Sequence, residues 1–138
     1  LIRLGIFVPI PSGRVFFYSS GGEISLILRN MVSGNIIAED LDVADRFLKR
    51  LKGLMFTKSI SPQAALLIYP CSGIHTYFMN YSIDVLYLDT NNIILAIDEQ
   101  IKPGRLGSYV KGAVAVVELK GGRAKETNTV IGQALEII

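Results

Sequence analysis

The sequence contains few of the residues on which several functional classes depend. Its 138 residues include one cysteine, one histidine and no tryptophan. A single cysteine, Cys71, excludes a disulfide within the chain. One cysteine and one histidine are also too few to complete a zinc site by themselves. We therefore predict no disulfide framework, no metal site and no tightly bound cofactor.

Charge and long hydrophobic runs are scarce as well. Fourteen Lys and Arg against 12 Asp and Glu give a formal net charge of +2. An excess this small does not favour a nucleic acid as partner. Charges or glycines interrupt every apolar run well before the roughly 18 residues that a membrane-spanning helix needs. We predict a chain that folds in water and has no membrane span.

Residues 1–24 differ from the remainder, because their apolar runs have no regular period before the Ser and Gly residues at 19–22. Pro9, Pro11 and Arg14 interrupt the place where a signal peptide needs its apolar core and cleavage site, which predicts a cytoplasmic protein. Two interpretations of this segment stay open. It is an extension, translated from upstream sequence or poorly ordered, ahead of a single domain over 25–138, or it adds an edge strand around Val15 to Tyr18.

One segment has the period of a helix. Asp42 can cap its N-terminus, and Gly53 can take the left-handed conformation that ends it. Four apolar residues follow the spacing i, i+3, i+4 and i+7 of a single helix face: Ala44, Phe47, Leu48 and Leu51. We predict one amphipathic helix over residues 42–51, with its apolar stripe against the core.

The rest of the chain is typical of a mostly β fold of the α+β class. A strand is predicted over 35–41, and Asp89 to Asn92 predict a hairpin turn because Asp and Asn tolerate positive φ. Six short apolar segments bounded by turn residues follow residue 63: Ala64 to Tyr69, Ile74 to Met79, Ile83 to Asp89, Ile93 to Glu99, Ala113 to Leu119 and Ala134 to Ile138. Since few helices separate them, we expect an antiparallel sandwich or barrel.

A series of short motifs gives the chain a family resemblance over residues 28–138. In order, they are Arg50-Leu-Lys-Gly53-Leu54-Met55-Phe56, Phe78-Met79-Asn80, Ile83-Asp84-Val85-Leu86, Lys102-Pro103, and Val117-Glu118-Leu119 followed by Gly122. With these motifs the chain resembles the prokaryotic domain-of-unknown-function family 192, DUF192. The resemblance implies a compact β-barrel or jelly-roll-like sandwich with the helix packed beside it. It implies no function.

The segment from Cys71 to Asn80 has the highest density of chemically reactive side chains. Cys71 and His75 could form a nucleophile and its base if they lie within hydrogen-bonding reach. The alternative is a small buried cysteine and a histidine that bonds to the backbone. If 74–79 is a strand, His75, Tyr77 and Met79 share one face.

The recognised motifs contain the charged residues Arg50, Asp84 and Glu118, which are candidates for a site. Both carboxylates interrupt apolar strands, so each points to the face opposite its neighbours. One interpretation is a structural ion pair with Arg50, and another is a polar ligand site. Two carboxylates on a β scaffold also suggest glycoside hydrolysis, which depends on their separation.

Since no catalytic constellation is complete, we expect a non-enzymatic domain that binds a small polar ligand or saccharide, or an accessory domain, with no catalytic residue. The expected lining residues are Arg50, His75, Met79, Asn80, Asp84 and Glu118. One alternative is a small hydrolase, with carbohydrate as a candidate substrate, using Asp84 with Glu118 or Cys71 with His75. Another is a protein-interaction scaffold with an open strand edge. The sequence leaves the oligomeric state open.

Overall fold

The computed structural model describes residues 26–44 and 52–138, together with the backbone of residues 6–9 and 15–18. Nine strands and one short helix lie in these ranges. They are β1 (Ile6–Pro9), β2 (Val15–Tyr18), β3 (Leu26–Asn30), β4 (Ile36–Ala44), β5 (Ala64–Ile68), β6 (Ile83–Leu88), β7 (Ile94–Ile101), β8 (Ala115–Lys120), α1 (Arg123–Glu126) and β9 (Leu135–Ile137). The predicted mostly β fold is confirmed.

Seven of the strands form one curled sheet in the order β7-β6-β8-β5-β4-β3-β9. Its two outermost strands meet at one end, where the Ile94 amide donates to the Gln133 carbonyl at 3.0 Å and the Leu135 amide donates to the Asn92 carbonyl at 3.0 Å. The sheet is therefore a half-barrel, closed by hydrogen bonds at that end.

One strand pair corrects the expectation of a fully antiparallel sheet. β4 and β5 are parallel, with Leu41 opposite Ala65 and Ala44 opposite Ile68, whereas the other neighbouring pairs of this sheet are antiparallel. Nineteen residues separate Ala44 from Ala64. A connection of that length can return the chain to the start of a parallel neighbour. The sheet is mixed.

The central strands β5, β6 and β8 are buried on both faces. Inside the curl lies one apolar cluster to which all seven strands contribute, including Leu28, Ile37 and Leu86. The outer face carries a second cluster built from β5, β6, β8 and the loops that cover them, including Ile68, Val85 and Met79. Because both faces are covered, a polar side chain on either face of these strands must find a partner or a cavity.

The predicted helix start is wrong. Asp42 to Ala44 belong to β4, where the register pairs Asp42 with Leu66 and Ala44 with Ile68. Leu41 and Ala44 are buried, and pairing with β5 outweighs the local helix-capping pattern. The remaining predicted helical residues, 45–51, lie outside the described residues.

The predicted strand over 74–79 is wrong as well. Only His75 forms a β-bridge, with Leu106. The Thr76 hydroxyl donates to the Lys102 carbonyl at 2.6 Å and accepts from the Arg105 amide at 2.9 Å. Phe78 has a φ of 61°, which ends any extended run. Bonds to the 102–107 loop hold this segment in an irregular path across the outer face.

Other local predictions agree with the structure. The Asp89 side chain accepts from the amides of Asn91 at 2.8 Å and Ile93 at 2.9 Å, which makes the predicted turn between β6 and β7. Strand β2 lies where one interpretation of the N-terminal segment placed a strand. It pairs with β1 in a separate two-stranded sheet and is not an edge of the seven-stranded one.

Candidate functional site

A small cavity lies on the outer face of the sheet, between the central strands and two covering segments. Its volume is about 210 Å³, smaller than the roughly 300–1,000 Å³ of typical ligand pockets. Most of the side chains around it are apolar, and the lining residues are Lys52, Gly53, Leu54, Met55, Ile68, Cys71, Gly73, Ile74, His75, Met79 and Glu118. A ligand of this cavity must therefore be small.

Glu118 is the buried charged group of the cavity wall. It lies in the middle of β8, where the register places it opposite Leu66 of β5 and Val85 of β6. Opposite residues of antiparallel strands share a face, and both neighbours belong to the outer apolar cluster. The side chain is consequently enclosed, with only 4% of the residue exposed.

The carboxylate of Glu118 is only half satisfied. It accepts a hydrogen bond from the Leu54 backbone amide. Its Oε2 atom has no hydrogen-bond partner among the described residues. Burial raises the pKa of Glu118 to about 7, because loss of water penalises the ionised form more than the Leu54 amide favours it. Within the described part of the chain, the cavity thus contains an acceptor atom without a donor.

Gly53 lets the backbone pass close to this carboxylate. Its φ is +50°, as predicted for the left-handed residue of the motif. A β-carbon at this position would lie 3.4 Å from Glu118 Oε2 and 3.6 Å from Oε1. Glycine therefore serves here both the backbone conformation and the space next to the carboxylate.

Cys71 and His75 both line the cavity, each with a backbone partner. The Cys71 thiol donates to the Gly73 carbonyl at 3.1 Å, so its proton is directed at the backbone. The Nδ1 atom of His75 accepts from the Tyr77 amide at 3.2 Å. In the neutral ring the proton then resides on Nε2. His75 offers a donor, while Cys71 is held as a thiol.

Phe56 and Phe78 stack on each other next to residues that line the cavity, and we call them the aromatic pair. Phe56 comes after Met55 and Phe78 comes before Met79. Their ring centroids are 5.5 Å apart, and the Phe56 amide donates to the Phe78 carbonyl at 3.1 Å. Both have positive φ, 64° and 61°, and they are 65% and 68% exposed. Exposed bulky residues in a strained conformation are typical of functional surfaces.

Asn80 reinforces the link between the same two segments. Its side-chain amide donates to the Thr57 carbonyl at 2.7 Å, and the Thr57 and Tyr81 hydroxyls lie 2.6 Å apart. Burial raises the pKa of Tyr81, and the charge of Glu118 adds to that rise. The segment after Gly53 is therefore tied to the segment around Phe78 by side chains as well as backbone.

Asp84 does not line the cavity. It lies opposite Leu119 of β8 and therefore points to the face opposite Glu118. Its Oδ1 accepts from the amides of Gln100 at 2.8 Å and Gly122 at 3.0 Å, and its Oδ2 accepts from the Ala124 amide at 2.9 Å. Asp84 organises the start of α1 and the end of β7, and it does not reach the cavity.

The structure thus brings together only part of the predicted site. His75, Met79 and Glu118 share the cavity, and Asn80 lies beside it. Asp84 is on the other face, and Arg50 is outside the described residues. The sequence reasoning did not assign Gly53, Leu54 and Met55 to the site, although they lie in the first motif. Their proximity to Glu118 depends on how the chain returns over β8, which no local pattern indicates.

Among the described residues, no group of three or more His, Cys, Asp or Glu side chains is placed to hold a metal ion. Within the same part of the chain, no helix is long and apolar enough to cross a membrane.

Comparisons with known proteins give a family and a fold. The DUF192 family model, described as an "uncharacterized ACR", matches residues 17–137. A UPF0127 protein of Thermococcus sibiricus is 30% identical over 115 residues, which cover 80% of this chain and 73% of that protein. A UPF0127 protein of Pyrococcus furiosus is 30% identical over 113 residues, covering 78% and 94%.

A solved structure agrees with the architecture. A protein of unknown function from Novosphingobium aromaticivorans superimposes with a TM-score of 0.69 at 16% identity, over 98% of this chain and 94% of the other. At this identity the likeness establishes the shared fold alone.

Proposed function

The chain belongs to the DUF192 family of uncharacterised proteins, and from its geometry we propose that it is a non-enzymatic domain that binds a small ligand in the Glu118 cavity. The observation that carries this proposal is the Oε2 atom of Glu118, which is buried in a cavity and has no hydrogen-bond partner among the residues that the structure describes. An unsatisfied buried acceptor costs roughly 1–3 kcal/mol, which a ligand donor would recover. The binding domain in this proposal spans residues 25–138.

The lining residues of the proposal revise those expected from the sequence. His75, Met79 and Glu118 are kept, and Gly53, Leu54 and Met55 are added because they form the facing wall. Asn80 supports the wall through its bond to Thr57. The proposed ligand is a small polar molecule or a saccharide, as expected from the sequence. A compact barrel is part of the proposal, supported by the bonds between β7 and β9.

The hydrolase alternative has less support. Asp84 and Glu118 point to opposite faces of adjacent strands, so they cannot flank one glycosidic bond. The Cys71 thiol donates to the backbone, which favours the thiol over the reactive thiolate. The scaffold alternative needs an open strand edge, whereas the starts of the two edge strands are joined through bonds from Ile94 to Gln133 and from Leu135 to Asn92.

A ligand screen on the labelled protein tests the proposal. Small amines, alcohols, carboxylic acids and monosaccharides would be titrated into ¹⁵N-labelled protein while amide resonances are recorded. We expect at least one compound to give saturable shifts confined to residues 52–55, 71–75 and 79. Shifts scattered over the surface, or none across the panel, would contradict a ligand cavity.

A double-mutant cycle of Arg50 and Glu118 tests whether Glu118 pairs with a residue of its own chain. If Arg50 paired with Glu118, the double variant Arg50→Gln/Glu118→Gln would show a coupling free energy of about 0.5–3 kcal/mol relative to the single variants. The proposed ligand site requires Oε2 to be available to a ligand, so we expect coupling close to zero. Urea unfolding of the four proteins measures it.

A further inference from the structure

We propose that the ligand of the Glu118 cavity is a small organic ammonium ion with an apolar substituent, whose N–H donates to Glu118 Oε2. This inference rests on the ligand-binding function proposed above and names its ligand class. It depends on three features of the cavity: the charges around the carboxylate, the apolar walls, and the aromatic pair beside it.

Among the described residues, no cationic side chain forms an ion pair with Glu118. The ion pairs of Arg29 with Glu136 and of Arg123 with Glu126 do not involve it. Lys52 lines the cavity, but it is exposed and is not ion-paired with Glu118. Cys71 and His75 line the same cavity, and Tyr81 lies close enough to feel the carboxylate charge. The neighbours of Glu118 on β5 and β6, Leu66 and Val85, carry no charge. A buried carboxylate in these surroundings gains most from a charged donor.

The walls favour a ligand with one polar group. Leu54, Met55, Ile68, Ile74 and Met79 make most of the lining. A saccharide would bring several hydroxyl groups into contact with these side chains, and each buried hydroxyl without a partner is costly. An ammonium group on an apolar body has all of its N–H donors on one nitrogen, and Glu118 Oε2 can accept one of them. The polar part of such a ligand stays at one end of the cavity, whereas the hydroxyl groups of a polyol are spread along its apolar walls.

The aromatic pair suits the same class of ligand. Phe56 and Phe78 stack beside the two lining segments, with both rings largely exposed. The face of an aromatic ring attracts organic cations and apolar groups. The left-handed backbone of both residues keeps the rings in this position, although neither is a glycine. We infer that the pair contacts the part of the ligand that extends out of the cavity.

Protonation of Glu118 gives the proposal a measurable signature. The pKa of Glu118 is raised to about 7 by burial, so the carboxyl is mostly neutral at lower pH. An ammonium ion requires the ionised form. Its affinity should therefore rise about tenfold per pH unit below the pKa and level off above it. A neutral hydroxyl compound can bond to either form and should show little change with pH.

The test titrates n-butylammonium, n-butanol and glucose into the ¹⁵N-labelled full chain at pH 5, 6 and 8. We expect butylammonium to bind with an affinity about tenfold higher at pH 6 than at pH 5, and higher again at pH 8. Glu118→Gln should abolish this binding while its amide spectrum stays that of a folded protein. Glu99→Gln, which changes an exposed carboxylate on β7, is the matched control and should bind as the natural sequence does.

The outcomes separate this inference from the proposed function. Saturable binding of butanol or glucose in the cavity, independent of pH, would overturn the ammonium class and leave the ligand cavity in place. Butylammonium binding that is unchanged in Glu118→Gln, or no response of the cavity amides to butylammonium at pH 8, would overturn it too. The broader screen described above decides the cavity itself.

Discussion

Two carboxylates on adjacent strands are both buried but differ in their hydrogen bonding. Asp84 on β6 is fully buried and accepts three backbone hydrogen bonds, which use both of its oxygens. Glu118 on β8 accepts one backbone bond, and its Oε2 beside a cavity has no partner among the described residues. A satisfied carboxylate organises the fold, whereas an unsatisfied one costs stability and is available to a ligand. Strand register places the two carboxylates on opposite faces, and the segments that cover each face decide which one is satisfied.

The largest expected effect comes from breaking the Asp84 network. Asp84→Ala removes the acceptor of the Gln100, Gly122 and Ala124 amides. Leaving one buried and two part-buried amides unpaired should lower the free energy of unfolding by about 3–5 kcal/mol, measured by urea denaturation. Asp40→Ala, at an exposed position of β4, serves as the control, and its effect should stay within about 0.5 kcal/mol. A loss for Asp84→Ala no larger than for Asp40→Ala would remove the contrast between the carboxylates.

The second-largest effect is a dependence of the free energy of unfolding on pH, caused by Glu118. The pKa of Glu118 is about 7 in the fold, against 4.5 for an ordinary glutamate. Between these values the unfolded chain releases the proton that the folded chain retains, so stability falls as pH rises. The fall should reach roughly 3 kcal/mol and then stop above pH 7.

Glu118→Gln isolates this contribution. Its free energy of unfolding relative to the natural sequence should increase by roughly 3 kcal/mol between pH 4.5 and pH 7.5. Glu99→Gln should show a constant difference over the same range, because Glu99 is exposed. Denaturant unfolding at four or five pH values measures both. Parallel curves for the two variants would show that Glu118 ionises normally.

The smallest effect concerns the positive-φ positions next to each carboxylate. Beside Asp84 the left-handed residue is a glycine, Gly122, whereas beside the Glu118 cavity left-handed Gly53 is followed by Phe56, which is left-handed although it is not a glycine. Phe56→Gly relieves about 1–2 kcal/mol of left-handed strain but loses a stacking contact worth about 0.5–1.5 kcal/mol. The free energy of unfolding should therefore change by less than about 1 kcal/mol. A much larger loss in urea denaturation would show that Phe56 is there for stability and not for a ligand.

Local patterns predicted much of the fold. The strands β4 to β9 were located within a few residues, and the Asp89 turn and the left-handed Gly53 agree with the structure. These features depend on alternation and turn chemistry, which are visible in short windows of sequence. Local patterns failed at Asp42 to Ala44 and at 74–79. In both places, contacts with distant residues, Leu66 to Ile68 and Lys102 to Arg105, override the local preference.

Like the fold, the candidate site was predicted only in part from local sequence patterns. His75, Met79 and Glu118 could be named from the sequence because reactive or charged residues inside apolar runs are conspicuous. Gly53, Leu54 and Met55 could not be assigned to it. Their contact with Glu118 joins residues more than 60 positions apart in the chain. The pairing of Asp84 with Glu118, considered from the sequence, fails because register decides the face of each side chain.

By itself, the sequence determined that this is a mostly β protein of the DUF192 family with two carboxylates in apolar strands. Alternation and composition act over a few residues and need no knowledge of the partners. Only the tertiary structure decided which carboxylate the backbone satisfies and which one faces a cavity. That choice depends on strand register and on the path of the covering segments, because hydrogen bonding and burial are properties of residues brought together from distant parts of the chain.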